Sequence, residues 1–171
     1  MNRCSVCVMR RRSAANAAVL CLLLLAALSA GCGDPYSVSQ IKNDTAATIE
    51  IELVLDKSQW SAGFEPEEYE RWLAELTDDQ IREELQKYAE GGQGVELVAV
   101  DAARFAGKYR VAPSGLMIVQ ASMGKGPYFH FTQLTVTKDN KTSTFADEQE
   151  IRKLFQRVEG NLWEISVTDA F

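Results

Sequence analysis

The chain has 171 residues, 46% of them apolar and 25% charged, with 24 acidic residues against 18 basic ones. That length and balance suit one globular domain with a real core, and they exclude a low-complexity or fibrous chain. A net charge of −6 speaks against a nucleic-acid surface, which needs Lys/Arg patches, and against a basic face for anionic lipid.

In chain order, the first segment is the most distinctive. Arg3, Arg10, Arg11 and Arg12 precede an apolar run from Ala14 to Ala30, broken only by Asn16 and Ser29. A basic start, a leucine-rich centre and small residues at the end describe an export signal. The leucine core is short for spanning about 30 Å of hydrocarbon. Residues 1–31 are therefore expected to be removed, and translation from Met9 would give a more ordinary signal still. The four arginines leave with it, so 14 basic residues face 24 acidic ones and the net charge falls to −10. Cys4-Ser5-Val6-Cys7 has the C-x-x-C spacing of a metal or redox pair, but it lies in the segment removed and has no second pair.

Cys32 is the last cysteine of the chain and the only one left in the mature protein. An unpaired thiol is a liability in an oxidising compartment, and a thioether cap on the sulfur removes it. Leu28-Ser29-Ala30-Gly31-Cys32 resembles the lipobox of bacterial lipoproteins, with small residues before the cysteine and Leu28 one place further out than usual. The resemblance implies cleavage between Gly31 and Cys32 by signal peptidase II. It also implies a diacylglyceryl group on the Cys32 sulfur and acylation, palmitate for example, of the new amino group. Two or three acyl chains anchor firmly where one is marginal. Gly33 followed by Asp34 resembles the outer-membrane-sorted pattern of such lipoproteins. Only Gly33-Asp34-Pro35 then separates the anchor from the domain, residues 36–171.

Within that domain, Val38 and Ile41 start a first strand that Asn43-Asp44 can turn. Thr48 to Asp56 alternates, with Ile49, Ile51, Leu53 and Leu55 on one side and Glu50, Glu52 and Asp56 on the other. Pro66 opens a helix with the stripe Tyr69, Trp72, Leu73 and Leu76. Thr77-Asp78-Asp79-Gln80 reads as a capping box that starts a second helix with Ile81, Leu85 and Tyr88 on one face. Strands are predicted at Val95–Asp101, Lys108–Ala112, Leu116–Ala121 and Tyr128–Thr137, with turns at Pro113-Ser114-Gly115 and Gly124-Lys125-Gly126-Pro127. Thr142–Phe145 returns as a hairpin. Asp147 and Glu150 start a last helix with the stripe Ile151, Leu154, Phe155 and Val158, and Leu162–Thr168 closes as a strand. The expected class is α+β, a mostly antiparallel sheet or small β-sandwich with an inserted helical pair and one C-terminal helix.

Chemistry is sparse. Ser122-Met123-Gly124-Lys125 matches the S-x-x-K of penicillin-binding proteins and serine β-lactamases, and Lys141-Thr142-Ser143 resembles their K-T-G. The chain is too short for that fold, and Ser122 is expected in a Gly/Pro loop. His130 is the sole histidine, read as an ordinary strand residue, and no set of ligands for a metal or cofactor surrounds it in sequence. The stretch from Glu65 to Glu90 holds ten acidic residues against Arg71, Arg82 and Lys87, read as a solvated face. Trp60 and Phe64 flank Ser61-Ala62-Gly63 and are candidates for a partner contact. The expectation is a lipid-anchored envelope protein, favouring the outer membrane, without enzymatic activity. Its domain would bind or organise another envelope protein, with neither nucleic acid nor disulfides involved. The alternative is a small envelope hydrolase using Ser122 and Lys125, or His130.

Overall fold

Ile49, Ile51, Leu53 and Leu55 are buried while Glu50 and Glu52 stay half-exposed, as a period-two pattern demands of a strand with one wet face. A computed structural model describes residues 36–60, 65–124, 126–169 and 171, with only the backbone of residues 59 and 60. Strands β1 (Tyr36–Asn43) and β2 (Ile49–Leu55) lead to a 3-10 turn (Lys57–Trp60) and to helices α1 (Pro66–Glu75) and α2 (Asp78–Glu90). Strands β3 (Gln93–Asp101), β4 (Ala106–Met123), β5 (Phe131–Lys138) and β6 (Lys141–Phe145) follow. Helix α3 (Glu148–Leu154) and strands β7 (Gln156–Glu159) and β8 (Leu162–Val167) complete the described chain.

These strands form one curled sheet in the order β6-β5-β2-β4-β1-β8-β7, with β3 also paired to β4. The class is α+β, and the sheet is mostly antiparallel as expected, though a single curled sheet with one parallel pair rather than a sandwich. β1 runs parallel to β8, placing Ile41 beside Ile165 and Asn43 beside Val167. No hairpin dictates the relative direction of two strands this far apart in the chain.

The 18-residue β4 organises the sheet. Val111 lies opposite both Ile49 and Val95, and Leu116 opposite both Lys42 and Gln93. β3 therefore borders one edge of β4, while β1 and β2 share the other and diverge after Asn43. The sheet forks there, into a β2-β5-β6 wing and a β1-β8-β7 wing. Asn43 is fully buried at the fork. Its Nδ2 donates to the carbonyls of Ala47, Val111 and Ala112 at 2.8, 3.0 and 3.0 Å. Its Oδ1 accepts from the Thr45 amide at 3.0 Å and the Thr45 hydroxyl at 2.7 Å. The polar groups exposed where two strands part are thereby satisfied by one side chain.

Three expectations change. Pro113-Ser114-Gly115 does not separate two strands: β4 continues through it, with Ser114 at φ 59° and the ladder to β3 skipping from Val111 to Leu116. Proline cannot donate to a ladder, and the extra residues bulge out around it. The last helix stops at Leu154, because Phe155 turns extended (ψ 123°) and residues 156–159 pair with β8. Val158 consequently leaves the helical stripe and is exposed. Finally, Tyr128, Phe129 and His130 precede β5 and lie outside the ladder.

The core lies between α2 and the sheet. Ile81, Leu85 and Ala89 of α2 join Ile41, Ile51, Val111, Met117, Leu134 and Ile151 in one apolar cluster. Tyr109 of β4 is fully buried there and donates its hydroxyl to the Leu85 carbonyl at 2.9 Å, tying sheet to helix. Trp72, on the expected apolar stripe, is half-buried and stacks on Tyr69 at 5.9 Å.

Candidate functional site

The segment from Pro127 to Phe131 is held by side chains of β1 and α3 and by the backbone just beyond β2. The Tyr128 amide donates to Ser39 Oγ of β1 at 2.9 Å. The Asp56 amide, just beyond β2, donates to the His130 carbonyl at 2.9 Å. Arg152 of α3 donates from Nη1 to the Pro127 carbonyl at 3.0 Å, and its guanidinium lies 5.3 Å from the centre of the Phe129 ring. Phe129 stacks on Phe155 at 5.5 Å and tilts against Phe131 at 4.9 Å. A stretch outside any ladder is thus fixed by packing and by bonds to its backbone.

His130 lines two depressions. One, of about 310 Å³, is bounded by Asp56, Tyr128, Phe131, Glu148 and Arg152 among others. The second, of about 270 Å³, lies between α2 and β4, with Glu84, Lys87, Tyr88, Ile118 and Gln120 in its wall. Both lie at or below the lower end of the range for small-molecule sites, and each is of a size for one or two inserted side chains. Burial pushes the His130 pKa below its ordinary value against the opposing pull of the Asp56 charge, so the imidazole is neutral at neutral pH. Burial also pushes the Tyr88 phenol up to about 12, and Tyr109 higher still. Both phenols stay protonated.

The geometry does not assemble a nucleophile and base. Asp56 Oδ1 accepts from the Ser58 amide at 3.0 Å and the Ser58 hydroxyl at 2.7 Å, an aspartate engaged in its own turn. Thr132 Oγ1 points to the Val54 carbonyl at 3.4 Å. Ser122 stands on β4 opposite Ser37, in a strand rather than the expected loop, and neither His130 depression includes it. Lys125, the other half of the S-x-x-K, lies outside the described residues. Among the described residues, no three His, Cys, Asp or Glu side chains are placed to hold a metal ion.

The remaining expected positions fall elsewhere. Gly31, Cys32 and Phe64 lie outside the described residues, and of Trp60 only the backbone is described, at the end of the 3-10 turn. All four cysteines precede Tyr36, so the described domain holds no disulfide. The acidic residues between Glu65 and Glu90 are exposed except Glu84, which is half-buried in the second depression. Sequence reading missed Arg152, Asp56 and Tyr88 as neighbours of His130. They come from three distant elements, and only the folded sheet brings them together.

No family model, curated protein or solved structure matches this chain. What its fold and site define is an α+β domain on a curled mixed sheet, with two small amphipathic depressions meeting at one neutral histidine.

Proposed function

We propose that the chain is a bacterial envelope lipoprotein, cleaved before Cys32 and anchored through diacylglycerol and acyl chains on that residue. The outer membrane is the favoured site. Its domain binds or organises another envelope protein without catalysis. The observation that carries this reading is the junction of lipobox and fold: Cys32 is followed by only three residues before β1 begins at Tyr36. Four residue steps span at most about 14 Å. A domain tethered so closely works at the bilayer surface. The small depressions at His130 support recognition of a partner's side chains rather than turnover of a free substrate. Trp60 and Phe64 stay the proposed partner contacts, and the exposed acidic helical pair between β2 and β3 extends the surface available to that partner.

Two measurements in living cells test this together. Cys32→Ser should move the protein out of the membrane fraction or stall it as precursor. A photo-reactive residue at Thr132, exposed beside His130, should trap one envelope protein in the wild-type background and lose it in Cys32→Ser cells. Unchanged fractionation of Cys32→Ser contradicts the anchor. An empty cross-link from Thr132 contradicts the binding role.

A further inference from the structure

Among the described residues, the exposed large apolar side chains are Tyr36, Met123 and Val158, at 54, 69 and 57% exposure. They come from three separate strands, yet the topology gathers them. Tyr36 and Met123 are cross-strand partners in the β1–β4 ladder, so their side chains share one face. Next to them, Val38 lies opposite Ala121 on β4 and beside Leu162 on β8, both apolar. Leu162 in turn faces Glu159, and Val158 bulges from β7 immediately before it. The Val38 amide donates to the Asn161 carbonyl at 3.0 Å, which fastens the β7–β8 turn to the start of β1. A ladder irregularity helps set this face. β1 passes from Ser39 to Gln40 while β4 passes from Gln120 to Ile118, and beyond that offset Ala121 and Met123 turn to solvent while Met117 and Val119 stay buried.

We infer that this apolar end of the sheet, built on Tyr36, Met123 and Val158, rests on the lipid interface and orients the domain on the membrane. This rests on the proposed anchor at Cys32. The length of chain selects the occupant: the tether can place Tyr36 no more than about 14 Å from the acylated residue. An apolar patch at that point meets lipid before it can meet a partner approaching from solvent. Charge agrees, because a mature chain of net charge −10 has no electrostatic attraction to anionic headgroups, leaving apolar contact to set the pose. Tyrosine suits the position, with an apolar ring and a hydroxyl at headgroup depth. The opposite end of β4, at the turn before Ala106, is the part of that strand farthest from Met123.

The test uses the full chain, acylated in cells and reconstituted in phosphatidylcholine vesicles. Nitroxide labels go on Ala121→Cys, beside the patch, and on Ala103→Cys, in the exposed turn between β3 and β4. The ratio of collision with oxygen to collision with an aqueous nickel complex should be several-fold higher at residue 121 than at 103. Replacing the three side chains by Tyr36→Ser, Met123→Ser and Val158→Ser should bring the ratio at 121 down to that at 103, with Cys32 still acylated. Equal ratios in an acylated protein overturn this inference and leave the anchor standing. An unacylated Cys32 by mass spectrometry overturns the anchor and this inference with it.

Discussion

Asn43 shows how much one polar side chain can decide. It closes three carbonyls and accepts two donors at the point where β1 and β2 part company along β4. Asn43→Ala leaves buried carbonyls without a donor, and a loss of about 2–3 kcal/mol in urea unfolding is expected. Asn43→Asp keeps the shape but sets a carboxylate against those same carbonyls, and should be at least as damaging. A change within about 0.5 kcal/mol for either variant, as for an ordinary surface site, contradicts this role.

His130 makes a second residue-scale prediction through its lowered pKa. Between that value and the ordinary 6.5, the unfolded chain binds a proton that the folded one refuses, so stability rises with pH across the window. On acidification the loss begins near the ordinary histidine value and is complete below the folded one. Above this window the stability curves of wild type and His130→Gln should run parallel, and within it wild type should lose stability relative to the variant as pH falls. Parallel curves between pH 7.5 and pH 5 count against a half-buried, neutral imidazole. At the alkaline end the sign reverses: phenols held above 10 when folded favour the folded state less as pH rises. Ultraviolet titration should show Tyr88 and Tyr109 ionising only as the fold is lost.

At the scale of elements, the contact between β4 and α2 depends on a missing side chain. A Cβ at Gly107 would sit 2.6 Å from Tyr109 Oη, whose hydroxyl bonds the Leu85 carbonyl. Gly107→Ala must displace that buried ring, and a loss of about 1–3 kcal/mol is expected from chemical denaturation. Thr77→Ala, at the exposed cap of α2, should cost about 1 kcal/mol, because Thr77 Oγ1 accepts the Gln80 amide and Gln80 Oε1 accepts the Thr77 amide. Equal effects of the two substitutions on hydrogen-exchange protection in β4 contradict the separation between core contact and local cap.

The same elements show what the sequence makes legible. The capping box at Thr77 and the alternation from Ile49 to Leu55 are local, and both appear as read. Pro113-Ser114-Gly115 carries a true signal, a backbone that cannot continue its ladder, but a bulge and a strand break give the same residues. Gln156–Glu159 follows a helical stripe, and only its pairing with Trp163 and Glu164 makes it a strand. The β1–β8 pairing and the neighbours of His130 depend on contacts between distant elements, to which periodicity is blind.

At the scale of the whole molecule, a forked sheet carries two different surfaces. On the proposed anchor, the apolar end formed by Tyr36, Met123 and Val158 lies where the tether arrives, and the depressions at His130 lie between α2, α3 and the sheet. This division depends on Cys32 being the acylated first residue of the mature chain. The most direct measurement is the mass of the N-terminal peptide of the protein recovered from membranes. The account predicts a peptide beginning at Cys32 and heavier than its sequence by a diacylglyceryl group, with or without a further acyl chain. A free Cys32 thiol, or a peptide that still carries residues 1–31, contradicts it.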